Sequence, residues 1–284
     1  MGRRAAVVAM SFLAAAIPVL AEEQDSEHLF GFTEGSDIGP TGEKELEMGL
    51  FGRFGSRVGR YSALTHSTEL KWGIAKDWRI APGIYFDWHG LKNVPGVPNT
   101  NGLTVEGFSF EIKRRLLDRE KAPFGLTLAV VPSLTRINGD GQRETGFDTH
   151  FLLIADKELI EGKLFGAVNV SYAPSYGHLP SASGWSPSSE LGASAALSWR
   201  ATDKLFVGGE LRHARTYDGA FANDHLGHAL FTGPNFFLRL TPESWLAGGW
   251  NMQIAGNAAG EAGRRLDLTN FQRHEARLRL GFSF

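Results

Sequence analysis

The last fourteen residues alternate with a period of two. His274, Ala276, Leu278, Leu280, Phe282 and Phe284 share one parity, and Arg273, Glu275, Arg277, Arg279, Gly281 and Ser283 share the other. A two-residue period describes a strand with two unlike faces. Alternating or β-rich stretches recur at 43–54, 61–74, 78–88, 104–116, 124–136, 145–159, 164–176, 189–200, 205–216, 228–240, 244–257 and 271–284. Strands of soluble proteins run about 5–6 residues, and these are roughly twice that length. A strand tilted across a bilayer needs about 9–11 residues.

The connections alternate as well. Short ones fall at 75–77, 117–123, 160–163, 201–204 and 241–243, and longer ones rich in Gly, Pro and Asn fall at 89–103, 137–144, 177–188, 217–227 and 258–270. Short turns at one end and longer loops at the other describe an all-β, transmembrane, antiparallel up-and-down β-barrel of about twelve strands. An even strand count puts both termini on the short-turn, periplasmic side. A secreted soluble β-sandwich is the rival fold, since its strands alternate too.

The two parities differ in chemistry. One carries Leu70, Trp72 and Ile74, then Trp78, Ile80, Ile84, Phe86 and Trp88, then Leu191, Leu197 and Trp199. Trp72, Trp78, Trp88 and Trp199 fall near strand ends, where an aromatic girdle sits. The opposite parity carries Glu45, Glu47, Glu69, Lys71, Arg79, Glu111, Lys113, Glu210, Arg212, Arg273, Arg277 and Arg279, which are expected to line the lumen. Reversing the last strand would place Arg273, Arg277 and Arg279 in hydrocarbon, at ~2–4 kcal/mol each near the midplane. Segment 145–159 is less regular, with Phe147, Phe151 and Leu153 alternating with Asp148, His150 and Leu152. Closing the barrel pairs the first and last strands, an arrangement expected to bring Glu45 and Glu47 near Arg273, Arg277 and Arg279.

The N-terminus is of another kind. Arg3 and Arg4 precede an apolar run from Ala5 to Leu20, followed by Val19-Leu20-Ala21 and the acidic Glu22-Glu23-Gln24-Asp25. This is the layout of a cleaved secretory signal over residues 1–21. Residues 22–42 then hold Glu22, Glu23, Asp25, Glu27, Glu34 and Asp37 with Leu29, Phe30 and Phe32, and two readings remain open. The segment is either a plug folded into the periplasmic mouth or a solvated linker ahead of a barrel spanning 43–284.

Composition narrows the class. The 284 residues contain no Cys, which excludes disulfides and thiolate metal sites, and the net charge of −2 argues against nucleic-acid binding.

The ending Leu278-Arg279-Leu280-Gly281-Phe282-Ser283-Phe284 resembles the C-terminal insertion signal of bacterial outer-membrane barrels, with Leu280, Phe282 and Phe284 as its apolar positions. That resemblance implies the barrel-assembly machinery as a partner, and outer-membrane lipids and lipopolysaccharide as surroundings. The opening His28-Leu-Phe-Gly-Phe-Thr-Glu-Gly-Ser-Asp-Ile-Gly39 resembles an uncharacterised proteobacterial family of outer-membrane proteins.

Catalysis and metal binding find little support. Outer-membrane phospholipases carry H-x-S-N-G, and the nearest run here, Thr65-His66-Ser67-Thr68-Glu69, lacks the Asn-Gly pair, so no catalytic residue is assigned. Asp224-His225-Leu226-Gly227-His228 places two His in an expected outer loop with no third ligand, and no metal or cofactor is assigned. The expected function is a porin-like channel or facilitator for small hydrophilic solutes or ions. The alternatives are a non-conducting structural or surface-interaction barrel and an outer-membrane lipid hydrolase.

Overall fold

The computed structural model describes residues 25–284, so the signal sequence expected at 1–21 lies outside the described residues, as do the first three residues of the acidic segment. Twelve strands form one closed antiparallel barrel, each paired with its sequence neighbours and β1 closing onto β12. They are β1 (Lys44–Phe54), β2 (Ser62–Ala75), β3 (Trp78–Leu91), β4 (Thr100–Leu117), β5 (Gly125–Ile137) and β6 (Arg143–Ile160). β7 (Leu164–His178), β8 (Ser186–Arg200), β9 (Leu205–Asp218), β10 (Asp224–Arg239), β11 (Ser244–Ala258) and β12 (His274–Ser283) complete the wall. The Phe284 amide donates to the Lys44 carbonyl at 2.8 Å, so the start and end of the barrel meet at the short-turn end.

The two-residue period sets the register. Leu50 faces Leu278 across the closing seam and Met48 faces Leu280, which places their apolar side chains on the outer surface, while Glu47, Glu275 and Arg279 turn inward and are buried. A slip by one residue would exchange those faces, and the cost of arginine in hydrocarbon forbids it. In β6, Phe147, Phe151 and Leu153 point outward and Leu152, Ile154 and Asp156 are buried inside. Trp72, Trp78 and Trp199 stand exposed at the short-turn end, with Lys44 Nζ 5.7 Å from the Trp72 ring and Arg114 4.9 Å from that of Trp78. Trp88 sits near the long-loop end of β3. Leu280 and Phe282 lie on the outer face of β12, and Phe284 follows the strand.

Two expectations need correction. The outer loops expected at 89–103, 137–144, 177–188 and 217–227 are shorter than the sequence suggests, because hairpin pairing continues past the membrane-crossing length: β4 and β6 each run 18 residues. The His225–His228 run is therefore part of β10, not of a loop. There the His225 and His228 rings stack at 5.8 Å, and His213 of β9 lies 5.9 Å from His228.

Arg273 is the second. It precedes β12 at the opposite rim, where its amide donates to the Gly55 carbonyl and its carbonyl accepts from the Gln253 amide. The antiparallel register sets Glu45 against Ser283, so nearly the whole strand separates Arg273 from Glu45 and Glu47.

Candidate functional site

The lumen has two unlike walls. Inward positions of β7, β9, β10 and β11 carry Phe165, Phe206, Phe237 and Trp245 at the short-turn end, forming an apolar patch inside the barrel. Inward positions of β1–β4 there carry Glu45, Glu47, Lys71, Arg79, Glu111 and Lys113, an ionic patch. An apolar wall inside a barrel needs a cover, because exposed aromatic surface costs roughly 25 cal/mol per Å².

The N-terminal segment is that cover. Leu29 and Phe30 are fully buried against the aromatic wall, and Glu27 and His28 on the same segment are buried as well. Glu27 faces the ionic wall: Arg79 donates to one of its oxygens, while Lys71 lies at 3.1 Å and Lys113 at 3.5 Å from the other. Lys113 also donates to Glu34 at 2.6 Å, and Arg119 pairs with Asp37 at 2.9 Å. Burial alone would raise the Glu27 carboxyl, but Arg79, Lys71, His28 and Lys113 together hold it well below the usual carboxylate range.

The segment's backbone is captured too. Glu210 of β9 accepts from the amides of Gly31, Phe32 and Thr33, with the Phe32 amide 2.9 Å from Oε2 and that of Thr33 3.1 Å away. Successive N–H groups around one carboxylate make an anion nest, with charge-assisted hydrogen bonds worth about 1.5–3 kcal/mol each. A Cβ at Gly31 would stand 2.7 Å from Glu210 Oε1 and 2.9 Å from the Gly249 backbone, so the close approach requires glycine. Further along, Asn169 exchanges hydrogen bonds with the Glu34 backbone at 2.7 and 2.9 Å, Ser36 donates to Asp156, and Thr127 donates to the Ser36 carbonyl at 2.5 Å. Arg279 donates to the Phe30 carbonyl at 2.8 Å and lies 3.9 Å from Glu47.

Each luminal residue expected from sequence has a definite place. Glu45, Glu47, Lys71, Arg79, Glu111, Glu210 and Arg279 gather on the segment or on its immediate partners. Glu69 accepts from Tyr85 at 2.9 Å. Arg212 bridges to Glu275 at 2.6 Å and covers the Phe32 ring at 4.4 Å. Arg277 lines an open cavity beyond the segment, and Arg273 is apart at the far rim. The ligand atoms of His28, Glu45 and Glu47 lie within 4.8 Å of one another, as in a cation site, but the Lys71 ammonium already sits 3.1 Å from Glu45 and 2.7 Å from Glu47. His66 and Ser67 fall on opposite faces of β2, so they form no catalytic pair.

Sequence reasoning missed Trp245, His28 and the aromatic wall. The signal was present: Phe165, Phe206, Phe237 and Trp245 sit on the inward parity, close to one end of their strands, where a water-filled lumen would place polar groups. Beyond the segment, 360 Å³ of open lumen remain, lined by Phe32, Glu34, Glu69, Glu190, Arg212 and Arg277 among others. Toward the long-loop end, Phe271 packs inward on Phe231, and Tyr61 and Leu91 pack with Val94 and Val97.

A closed barrel of twelve long antiparallel strands with an apolar outer face is the architecture of outer-membrane β-barrels. The chain belongs to the family of unknown function DUF6662, whose model matches residues 22–284. No curated protein matches the chain. Among solved structures, the COG4313 outer membrane channel from Pseudomonas putida F1 is similar, with a TM-score of 0.58 at 9% identity over 88% of this chain and 98% of that one. The NanC porin is similar at a TM-score of 0.49 and 12% identity, over 84% and 98% of the two chains. The likeness to the COG4313 channel, at 9% identity, is one of fold.

Proposed function

We propose that the protein is a channel of the bacterial outer membrane for small hydrophilic solutes, held shut by its own N-terminal segment. The observation that carries this reading is the docking of residues 26–38 inside the barrel, through side chains and backbone that barrel closure alone does not require. A barrel filled only for stability needs no separate segment; its wall side chains suffice. Here the segment joins β1 at Lys44 and runs up the lumen from the short-turn end, the geometry of a tethered plug.

In this reading the short-turn end is periplasmic, the signal sequence is removed on export, and the C-terminal strand is the element presented to the assembly machinery. Trp72, Trp78 and Trp199 then mark the inner interface, lipopolysaccharide surrounds the long-loop end, and no enzymatic step is assigned. The test is conductance in planar bilayers of refolded protein with and without residues 22–40. Larger or more frequent steps from the deletion support a plugged channel. Silence from both, in protein shown to be inserted by heat-modifiable migration, would overturn it in favour of a non-conducting structural barrel.

A further inference from the structure

The luminal charges are almost all matched. Arg79, Lys71 and Lys113 meet Glu27, Glu34, Glu45, Glu47 and Glu111, and Arg212 meets Glu275. Two are not. Among the described residues, Arg277 on β12 forms no ion pair and no side-chain hydrogen bond, and neither does Glu190 on β8. Both line the same 360 Å³ cavity between the docked segment and the long-loop end. Glu190 is exposed to that cavity and Arg277 is half-buried beside it, so each turns an unpaired charge toward whatever solute the lumen holds.

We infer that this cavity is a binding site for a small dipolar solute, an amino acid or dipeptide, whose carboxylate meets Arg277 and whose ammonium meets Glu190. The inference rests on the channel reading and deepens it by naming the solute class. The charge pattern discriminates between ligands. A simple anion would satisfy Arg277 but add charge beside Glu190 and Glu69, and a simple cation would do the reverse. A zwitterion matches both at once, as bidentate guanidinium–carboxylate pairing favours at one end. Ser67, Ser171 and Ser194 on the cavity wall supply hydroxyls for the peptide or side-chain polar groups, and Phe32 and Phe51 supply apolar surface. The volume accommodates a dipeptide, within the usual range for small-ligand sites of about 300–1,000 Å³.

The test is saturation-transfer NMR at pH 7, where the peptide amines are mostly protonated, on the full mature chain refolded in detergent, which measures binding without requiring flux. The probes are alanylalanine, its N-acetyl derivative, which is an anion only, and its amide, which is a cation only. Binding of the dipeptide at least tenfold tighter than either derivative is expected. Arg277→Gln and Glu190→Gln should each weaken it about tenfold, and Arg277→Lys should recover part of the loss. Equal binding of the N-acetyl derivative would overturn the dipolar site, as would no transfer to any probe at tens of millimolar. A barrel that binds the dipeptide yet stays silent in bilayers, with and without residues 22–40, retains the site and loses the channel reading.

Discussion

The imidazole of His28 stacks on the indole of Trp245, with ring centroids 3.9 Å apart and planes inclined by 16°. The same indole donates from Nε1 to Glu45 at 2.9 Å, and its ring occupies space that a Cβ at position 281 would claim, so Gly281 is what admits it. One side chain of β11 thus joins the segment, the first strand and the last strand. Aromatic pairs contribute about 0.5–1.5 kcal/mol beyond area burial. His28→Ala is expected to raise single-channel open probability by roughly 3- to 10-fold with barrel stability unchanged. An unaltered open probability would remove His28 from the latch.

Glu210 holds the segment's backbone, and two substitutions probe it from opposite sides. Glu210→Ala removes the acceptor and leaves the Gly31, Phe32 and Thr33 amides buried without it, at a cost of about 1–3 kcal/mol per orphaned group. Gly31→Ala leaves the carboxylate intact but pushes a methyl group into it and into the Gly249 backbone. Both variants are expected to speed hydrogen exchange of the amides between residues 26 and 38 by at least tenfold, with strand amides unaffected. Exchange that stays slow in both would mean that the segment is held elsewhere.

How much of this was legible in the sequence follows from what alternation encodes. Parity separates the outer apolar face from the luminal face, so strand positions, the closing register and the inward rows containing Glu45, Lys71, Arg79 and Arg279 could be read. Parity does not say which inward residues meet across the lumen, because those pairs join strands far apart in sequence: Arg212 of β9 finds Glu275 of β12, and Lys113 of β4 finds Glu34. Nor does it say how far a hairpin stays paired beyond the membrane, which is why the His225–His228 run was expected in a loop. Arg273 shares the parity of Arg277 but not its height along the barrel, and height depends on the antiparallel register.

Docking should weaken in acid. Glu27 sits on the segment rather than on a strand, and its carboxyl is held well below its ordinary value of 4.5 despite burial, by Arg79, Lys71, His28 and Lys113. A carboxylate whose value is depressed in the docked state contributes its full stabilisation above the free value. That contribution declines as pH falls below about 4.5 toward the docked value. Conductance of the full-length protein is therefore expected to rise as pH falls from 5 to 3. Glu27→Gln, which cannot titrate, should show higher conductance at pH 7 and a flatter profile. A wild-type profile that falls or stays level over this range would contradict the role given to Glu27.

Removing the segment also changes which charge the lumen presents. Deletion of residues 22–40 takes away Glu27, Glu34 and Asp37, the direct partners of Lys71, Arg79, Lys113 and Arg119. It also frees Arg279 from the Phe30 carbonyl and leaves Arg277 facing an open passage. Rings of like charge select counter-ions in a pore, so the deletion channel should favour anions more than any residual current of the full-length protein. Arg277→Glu with Arg279→Glu in the deletion background changes the local charge by four units and should move the reversal potential in a KCl gradient toward cations. A reversal potential that does not move would mean that ions pass elsewhere and that these arginines serve only to hold the segment.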